Sequence, residues 1–213
     1  MRLYTSTGTV KVRDQCNEYG VGLLMVDKWR NPDQWPFFAV DNGCYAAHSR
    51  QEAWDPKSFL GILARLSRES RIPDFVVIPD RVSDPTSLGF SEAWIHALKT
   101  TYPWFPYYLA VQDGMTEESV RQFIEANGIS GIFVGGSMDW KLRTMGQWAK
   151  LAHRLGLQCH VGRVGPVSRM LLAEYSGADS IDSTTWVQRK DALPKYIRAY
   201  REQTSLPSEE VAQ

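Results

Sequence analysis

The stretch YYLAVQDGMTEESVRQFIEANGISGIFVGG, residues 107–136, contains one complete unit of the predicted fold. It begins with the apolar run YYLAV and ends near the run GIFV, and continuous apolar runs are typical of parallel strands covered on both faces. Between them, Thr116 is suited to cap a helix and Gly128 to end it. A strand, a helix and a second strand in this order predict a parallel β-α-β unit.

The same alternation continues in both directions along the chain. The runs that read as strands are Arg2–Ser6, Val21–Val26, Phe37–Val40, Phe75–Ile78, Tyr107–Val111, Ile132–Val134, His160–Arg163 and Ser180–Ile181. The segments with helical spacing are 54–70, 89–101, 116–128, 139–156, 165–177 and 190–203. Strands and helices in this number and order predict an α/β protein with a (β/α)8 TIM-type barrel. We expect reduced helices after strands 1 and 2, where the connections are short, and a doubly wound open sheet is the structural alternative.

The composition indicates one packed domain. The chain has 213 residues, of which 43% are hydrophobic and 12% aromatic, so a barrel over residues 1–205 with a flexible polar tail over 206–213 is expected. No apolar run reaches the roughly 18 residues that span a membrane, and the cysteines have no metal-like spacing. We therefore expect a cytoplasmic protein without a membrane span, a metal or a cofactor. Lys+Arg and Asp+Glu both number 24, so any binding of nucleic acid must depend on where the cations lie.

Polar or small residues directly follow most of the later strands. They are Asp41 after FFAV, Asp80 after FVVIP, Gln112 and Asp113 after YYLAV, Gly135 and Gly136 after GIFV, and Asp182 after SI. The carboxyl ends of barrel strands meet on one face, where active sites of this architecture lie. Capping of the following helix or turn is the alternative for any single aspartate. Capping does not explain Gln112 or the glycine pair, so the cluster predicts a functional site.

The strand-end strings also occur in a recognisable order. AVDNGCY, VIPD, LAVQDG, FVGG, HVGRVG and GADSIDS follow one another as the corresponding motifs do in tRNA-guanine transglycosylases, and TSTGTVKV resembles that family's first strand and turn. The chain resembles this family over roughly residues 4–186. It is most similar to the compact branch, found in phages and genomic islands, that inserts 7-deazaguanines into DNA.

The resemblance implies a role for each residue of the cluster. Asp182 would be the nucleophile that attacks C1′ of the target nucleoside, and Asp41 would be the general base. Two carboxylates can share a displacement in this way, one forming the covalent intermediate and the other moving protons. Asp179, at the start of the same strand, would be a supporting or structural residue. The implied substrate-binding residues are Asp80 at N1 and the 2-amino group, Gln112 with the N–H of Gly135 or Gly136 at O6, Tyr45 and Val161 against the ring, and Asn42.

The chain departs from the tRNA enzymes in two respects. No Cys-x-Cys-x-x-Cys zinc motif follows Cys159, and Val161 stands where the family has a methionine. Cations still follow the strand ends: Lys28, Arg30, Arg50, Arg81, Lys141, Arg143, Arg163, Arg169, Arg189 and Lys190. Of these, we expect Arg163, Arg189 and Lys190 to bind nucleic-acid phosphates, although solvated loops are the simpler alternative.

These observations favour a pentosyltransferase that replaces guanine with a 7-deazaguanine, such as 7-cyano-7-deazaguanine, in DNA rather than in tRNA. The alternatives are a non-catalytic nucleic-acid-positioning subunit, a tRNA transglycosylase, and a nucleoside hydrolase or transferase that uses the same carboxylates. Whether a partner protein or a homodimer is required is left open. His160 lies beside the predicted pocket and is interpreted as a hydrogen-bonded structural residue.

Overall fold

A closed barrel of eight parallel strands forms the centre of the molecule. The computed structural model describes residues 1–6, 9–84, 86–189 and 191–204. The strands are β1 (Arg2–Thr5), β2 (Val21–Met25), β3 (Phe38–Val40), β4 (Val76–Val77), β5 (Tyr107–Val111), β6 (Gly131–Val134), β7 (Gln158–Val161) and β8 (Ser180–Asp182). Each strand pairs with the next, and β8 closes the barrel on β1 with Tyr4 beside Asp182. The predicted (β/α)8 barrel is confirmed, and the open-sheet alternative is wrong because the sheet closes.

Helices surround the barrel between the strands. They are α1 (Val10–Tyr19), α2 (Cys44–Ser49), α3 (Lys57–Arg68), α4 (Ser87–Thr101), α5 (Glu117–Asn127), α6 (Met138–Arg154), α7 (Val167–Tyr175) and α8 (Ala192–Thr204). Short 3-10 turns cover Pro32–Gln34 and Thr185–Val187. The predicted tail, 206–213, lies outside the described residues.

The helices after the first two strands differ from each other. The connection after β2 carries only the 3-10 turn Pro32–Gln34, as expected. The connection after β1 instead folds the ten-residue helix α1, which corrects the expectation of a reduced helix there. The Thr9 side chain accepts from the N–H of Val12 at one end, and Gly20 ends the helix with a φ of 69°. Capping satisfies the free backbone groups at both ends, so a complete helix is stable in this short connection.

The central unit quoted from the sequence folds as predicted. Thr116 and Ser119 form a reciprocal cap at the start of α5, and Gly128 ends the helix in the left-handed region with a φ of 55°. β6 is paired along its whole length with residues 108–111 of β5. Among the described residues, no helix is both long and apolar enough to cross a membrane.

Aromatic rings fill the interior of the barrel and form a floor for the carboxyl end. Phe75 stacks on Tyr108 with ring centroids 4.5 Å apart, and Phe133 stacks on His160 at 4.7 Å. Gly131 leaves space for this layer, because a Cβ there would lie only 2.4 Å from the Tyr108 ring. Leu24, Ala39, Val77 and Ala110 join these rings inside the barrel, and a second, larger cluster packs between the barrel and the helices. The polar side chains of the carboxyl end therefore lie above this aromatic layer.

Candidate active site

A cavity of about 380 Å³ opens at the carboxyl end of the strands. This volume is within the usual range for small-molecule sites. The predicted site residues that line it are Asp41, Asn42, Tyr45, Asp80, Gln112, Gly135, Gly136, Arg163 and Asp182. The carboxylates that sequence reasoning collected from β3, β4 and β8 thus share one cavity.

Two of the predicted residues do not join this group. Val161 is completely buried in the core outside the barrel, because its neighbour on β7, His160, takes the inward position. Val161 therefore cannot lie against a base in the cavity, which corrects the prediction. Arg189 is exposed and does not line the cavity. Lys190 lies outside the described residues.

Asp182 ends β8 with one carboxylate oxygen held by two donors. Its Oδ1 accepts from Nε2 of His160 at 3.0 Å and from the backbone N–H of Arg163 at 3.1 Å. No donor from the described part of the chain reaches its Oδ2. Asp182 is only 6% exposed, so its orientation is fixed while Oδ2 stays free of donors from the described residues.

His160 holds Asp182 from inside the barrel. Its ring is fully buried, and burial lowers the pKa of His160, so the imidazole is neutral. Nδ1 lies 2.8 Å from Oγ of Ser180. A neutral ring that donates from Nε2 to Asp182 must accept at Nδ1, so the Ser180 hydroxyl donates to it. The sequence predicts a hydrogen-bonded structural role for His160, but it does not show that His160 and Asp182 both face the inside of the barrel.

Asp41 lies at the end of β3, half-buried, in a setting suited to proton transfer. Burial raises the pKa of Asp41 to about 7, although the backbone N–H of Gly43 opposes the shift by donating to Oδ1 at 2.7 Å. The carboxylates of Asp182 and Asp80 raise it further. A carboxyl group with a pKa near neutrality can both accept and return a proton.

Asp80 belongs to a chain of hydrogen bonds along one wall. Its Oδ1 accepts from Nδ2 of Asn42 at 2.7 Å, and its Oδ2 accepts from Nε2 of Gln112 at 2.5 Å. Oε1 of Gln112 in turn accepts from the N–H groups of Gly136 at 2.8 Å and Ser83 at 3.1 Å. Burial raises the pKa of Asp80 to about 6, while the Asn42 and Gln112 donors oppose the shift. The wall therefore presents an acceptor and an amide side by side.

The glycine pair supports this wall from behind. The N–H of Gly135 donates to the carbonyl of Val111 at 3.0 Å, and the N–H of Gly136 is taken by Gln112. The prediction that one of these N–H groups binds O6 does not fit these contacts. On this wall, the donor that remains among the described residues is the second hydrogen on Nε2 of Gln112. A Cβ on Gly135 would lie 2.5 Å from that nitrogen, and Gly136 has a φ of 68°, so both positions need glycine.

Arg163 lies inside the cavity on the ring of Tyr45. The centre of its guanidinium is 3.8 Å from the centroid of that ring, and Nη2 donates to the carbonyl of Gly136 at 2.5 Å. Tyr45 is 42% exposed, but Arg163 covers a face of the ring. Arg163 was predicted from its position after a strand to bind phosphate, whereas the structure places its head group among the carboxylates.

Lys141 is another cation that the sequence placed on this face. It is fully buried on α6, and its ammonium donates to the carbonyl of Gly162. Burial lowers the pKa of Lys141 to about 7. Because Gly162 precedes Arg163, this contact fixes the turn that presents Arg163, and Lys141 is not available to a nucleic acid.

Neither a known protein-family model nor a curated protein matches the chain. The resemblance to tRNA-guanine transglycosylases therefore stays a prediction that depends on the strand-end motifs. Within the described ranges, no group of three or more His, Cys, Asp or Glu side chains could hold a metal ion. The cavity itself offers an oriented carboxylate, a second carboxyl with a pKa near neutrality, and a wall that carries an acceptor next to an amide. When neighbouring carboxyl groups have different environments, one can attack in a displacement while the other transfers the proton.

Proposed function

We propose that the protein is a base-exchange transglycosylase that replaces guanine with a 7-deazaguanine in DNA through a covalent intermediate on Asp182. The observation that carries the proposal is that Asp182, which the described residues hold through Oδ1, shares one cavity with Asp41 and the Asp80–Gln112 pair. Two carboxylates and a purine-binding edge are the parts that such an exchange requires.

In the first step, Oδ2 of Asp182 attacks C1′ of the target deoxyguanosine. The C1′–N9 bond breaks as the Oδ2–C1′ bond forms, and its electron pair stays with guanine. Asp41 in its acid form gives a proton to the departing base. Because burial raises the pKa of Asp41 to about 7, both of its protonation states are populated near neutral pH.

In the second step, the 7-deazaguanine takes the place of guanine. The carboxylate of Asp41 accepts the proton from N9 of the incoming base, and N9 forms a bond to C1′. The Oδ2–C1′ bond breaks, so Asp182 leaves with its electron pair and the enzyme returns to its starting state. Because the same two residues act in both steps, guanine itself can also serve as the incoming base.

The Asp80–Gln112 wall would bind the guanine-like edge. The carboxylate of Asp80 is an acceptor for N1–H and the 2-amino group, and the free hydrogen on Nε2 of Gln112 is a donor for O6. Asn42 holds Asp80 in place from the other side. Both bases of the exchange carry the same edge, so one wall serves both.

The choice of DNA over tRNA rests on the resemblance to the compact DNA-modifying branch. The exposed position of Arg189 is compatible with a phosphate contact near the cavity face. A duplex target base would have to leave the stack to reach the cavity, at a cost of a few kcal/mol. All three cysteines are buried and free, which is consistent with a cytoplasmic location.

Incubation of the purified protein with labelled guanine and separate pools of DNA and tRNA tests the proposal. We expect label to enter DNA with the wild type and to stay in solution with Asp182→Asn. A second arm replaces labelled guanine by 7-cyano-7-deazaguanine and analyses the nucleosides of the recovered DNA by mass spectrometry. Label in tRNA alone would contradict the DNA assignment. Release of guanine without incorporation of any base would indicate the nucleoside hydrolase instead.

A further inference from the structure

Arg163 is held in the cavity by contacts that fix both its backbone and its head group. Its φ of 61° lies in the left-handed region, which residues other than glycine seldom adopt. Its backbone N–H holds Asp182, its guanidinium lies on Tyr45, and Nη2 binds the carbonyl of Gly136. An unfavourable backbone conformation that aims a side chain into a cavity suggests a role for that side chain.

The guanidinium of Arg163 has more donors than the protein satisfies. It carries five N–H groups in a planar fork. Among the described residues, the carbonyl of Gly136 is the acceptor within hydrogen-bond distance of it. None of the three cavity aspartates forms an ion pair with Arg163. Its charge lowers the pKa of Asp41 and of Asp80 from a longer distance. The remaining N–H groups of this half-buried cation are therefore available to a ligand.

The hydrogen-bonded groups that line the cavity come in the same order as the atoms along one edge of a 7-deazaguanine. Gln112 donates to Asp80 and accepts from the N–H of Gly136. The carbonyl of Gly136 accepts from the guanidinium of Arg163, and the backbone N–H of Arg163 donates to Asp182. Around the base, N1 with the 2-amino group is followed by O6, then by the substituent on C7, and then by C8 and N9. C5 is bonded to both C6 and C7, so O6 and a C7 substituent are neighbours. A base with its N1 edge on Asp80 and its N9 side toward Asp182 therefore presents C7 to Arg163.

We infer that Arg163 selects the incoming base by donating to an uncharged hydrogen-bond acceptor on C7, such as a nitrile. This inference rests on the proposed function. A guanidinium has no acceptor, so it would repel an aminomethyl cation at the same place. A carboxylate on C7 would add a fourth acidic group to a cavity that already holds three aspartates. A phosphate of the nucleic acid is a second source of acceptors for the same N–H groups, so the test separates the two.

Calorimetry with free bases tests the inference without nucleic acid. The probes are 7-deazaguanine and its 7-cyano, 7-aminomethyl and 7-carboxy derivatives. We expect the wild type to bind the 7-cyano base about tenfold more tightly than unsubstituted 7-deazaguanine, as a hydrogen bond to a charged group allows. The 7-aminomethyl and 7-carboxy bases should bind more weakly than the 7-cyano base.

Arg163→Met keeps most of the aliphatic stem and removes the donors, so the tenfold preference for the 7-cyano base should fall to about twofold or less. Arg163→Lys, which keeps the charge without the planar fork, should retain part of the preference and serves if Arg163→Met does not fold. Arg68→Met, on the exposed last turn of α3, is the matched control and should bind like the wild type.

Equal wild-type affinity for the 7-cyano and unsubstituted bases would overturn the inference, as would an undiminished preference in Arg163→Met. Loss of DNA binding in Arg163→Met with base selectivity intact would assign Arg163 to a phosphate and also overturn it. If none of the four bases binds the wild type, the proposed function itself fails. That result is distinguishable from the others because base binding, and not only selectivity, would be missing.

Discussion

Replacing His160 tests how the proposed nucleophile is oriented. Nε2 of His160 is 3.0 Å from Oδ1 of Asp182, and the ring is fully buried. A hydrogen bond to a charged group contributes about 1.5–3 kcal/mol. If that contribution is needed to orient Asp182 for attack, His160→Leu should slow formation of the covalent intermediate by about tenfold to a hundredfold. His160→Gln should recover much of the rate, because its amide nitrogen can donate from a similar position.

Single-turnover formation of the protein–DNA adduct, measured by rapid quench and gel separation, reports this step directly. The affinity for the base should be unchanged in both variants, because His160 lies below the cavity in the aromatic layer with Phe133 and Phe75. Thermal melting of both variants separates loss of packing from loss of orientation. Equal adduct rates for His160→Leu and His160→Gln, at matched stability, would refute the reasoning.

Two further predictions concern stability. Because the pKa of Asp41 is raised to about 7, its carboxyl binds more protons in the folded state than in the unfolded state between about pH 4 and pH 7, so Asp41 contributes a decline of the melting temperature as pH rises through this range. Asp41→Asn should flatten that decline and the exposed control Glu92→Gln should not; an unchanged slope in Asp41→Asn would contradict the assignment. Gly131→Ala should lower the free energy of unfolding in urea by about 1–3 kcal/mol, because its Cβ would lie 2.4 Å from the Tyr108 ring. Gly61→Ala, in an open position on α3, should instead raise it by about 0.5–1 kcal/mol, and equal effects would contradict the packing argument.

The barrel could be predicted from the sequence because its local signals agree with its global arrangement. Apolar runs such as YYLAV mark strands that are buried on both faces, and residues such as Thr116 and Gly128 mark the helix between two of them. The full length of α1 was not predicted, because a short connection can still hold a helix that is capped at both ends. Local patterns therefore located the strands better than they located the first helix.

Asp182 in β8 and Asp179 just before it show how far strand position can be used. Asp182 lies in the cavity at the carboxyl end, as predicted. Asp179 lies just before the strand and accepts from the N–H of Cys159 at 2.7 Å and from His153, so its role is structural. Asp113 accepts from the N–H and hydroxyl of Ser137 before α6, so it joins two strand-end loops, while Thr116 caps the helix α5 that follows it. Position at a strand end thus identifies candidates, but the partners of each carboxylate decide its role.

The contacts that refine the site depend on tertiary structure. The inward position of His160 and the outward position of Val161 follow from the register of β7 with its neighbours, which no single strand reveals. The return of Arg163 into the cavity depends on a left-handed backbone residue and on buried Lys141. Neither feature has a local sequence signal, so the sequence predicted the carboxylates and the amide but not the groups that hold them.

Identification of the residue that bonds to C1′ tests the central claim most directly. The wild-type protein would be incubated with DNA in the absence of an incoming base, denatured, digested and analysed by tandem mass spectrometry. We expect the sugar to be attached to the peptide that contains Asp182, and we expect no adduct with Asp182→Asn. An adduct that persists in Asp182→Asn, or that maps to Asp41 or Asp80, would contradict the account.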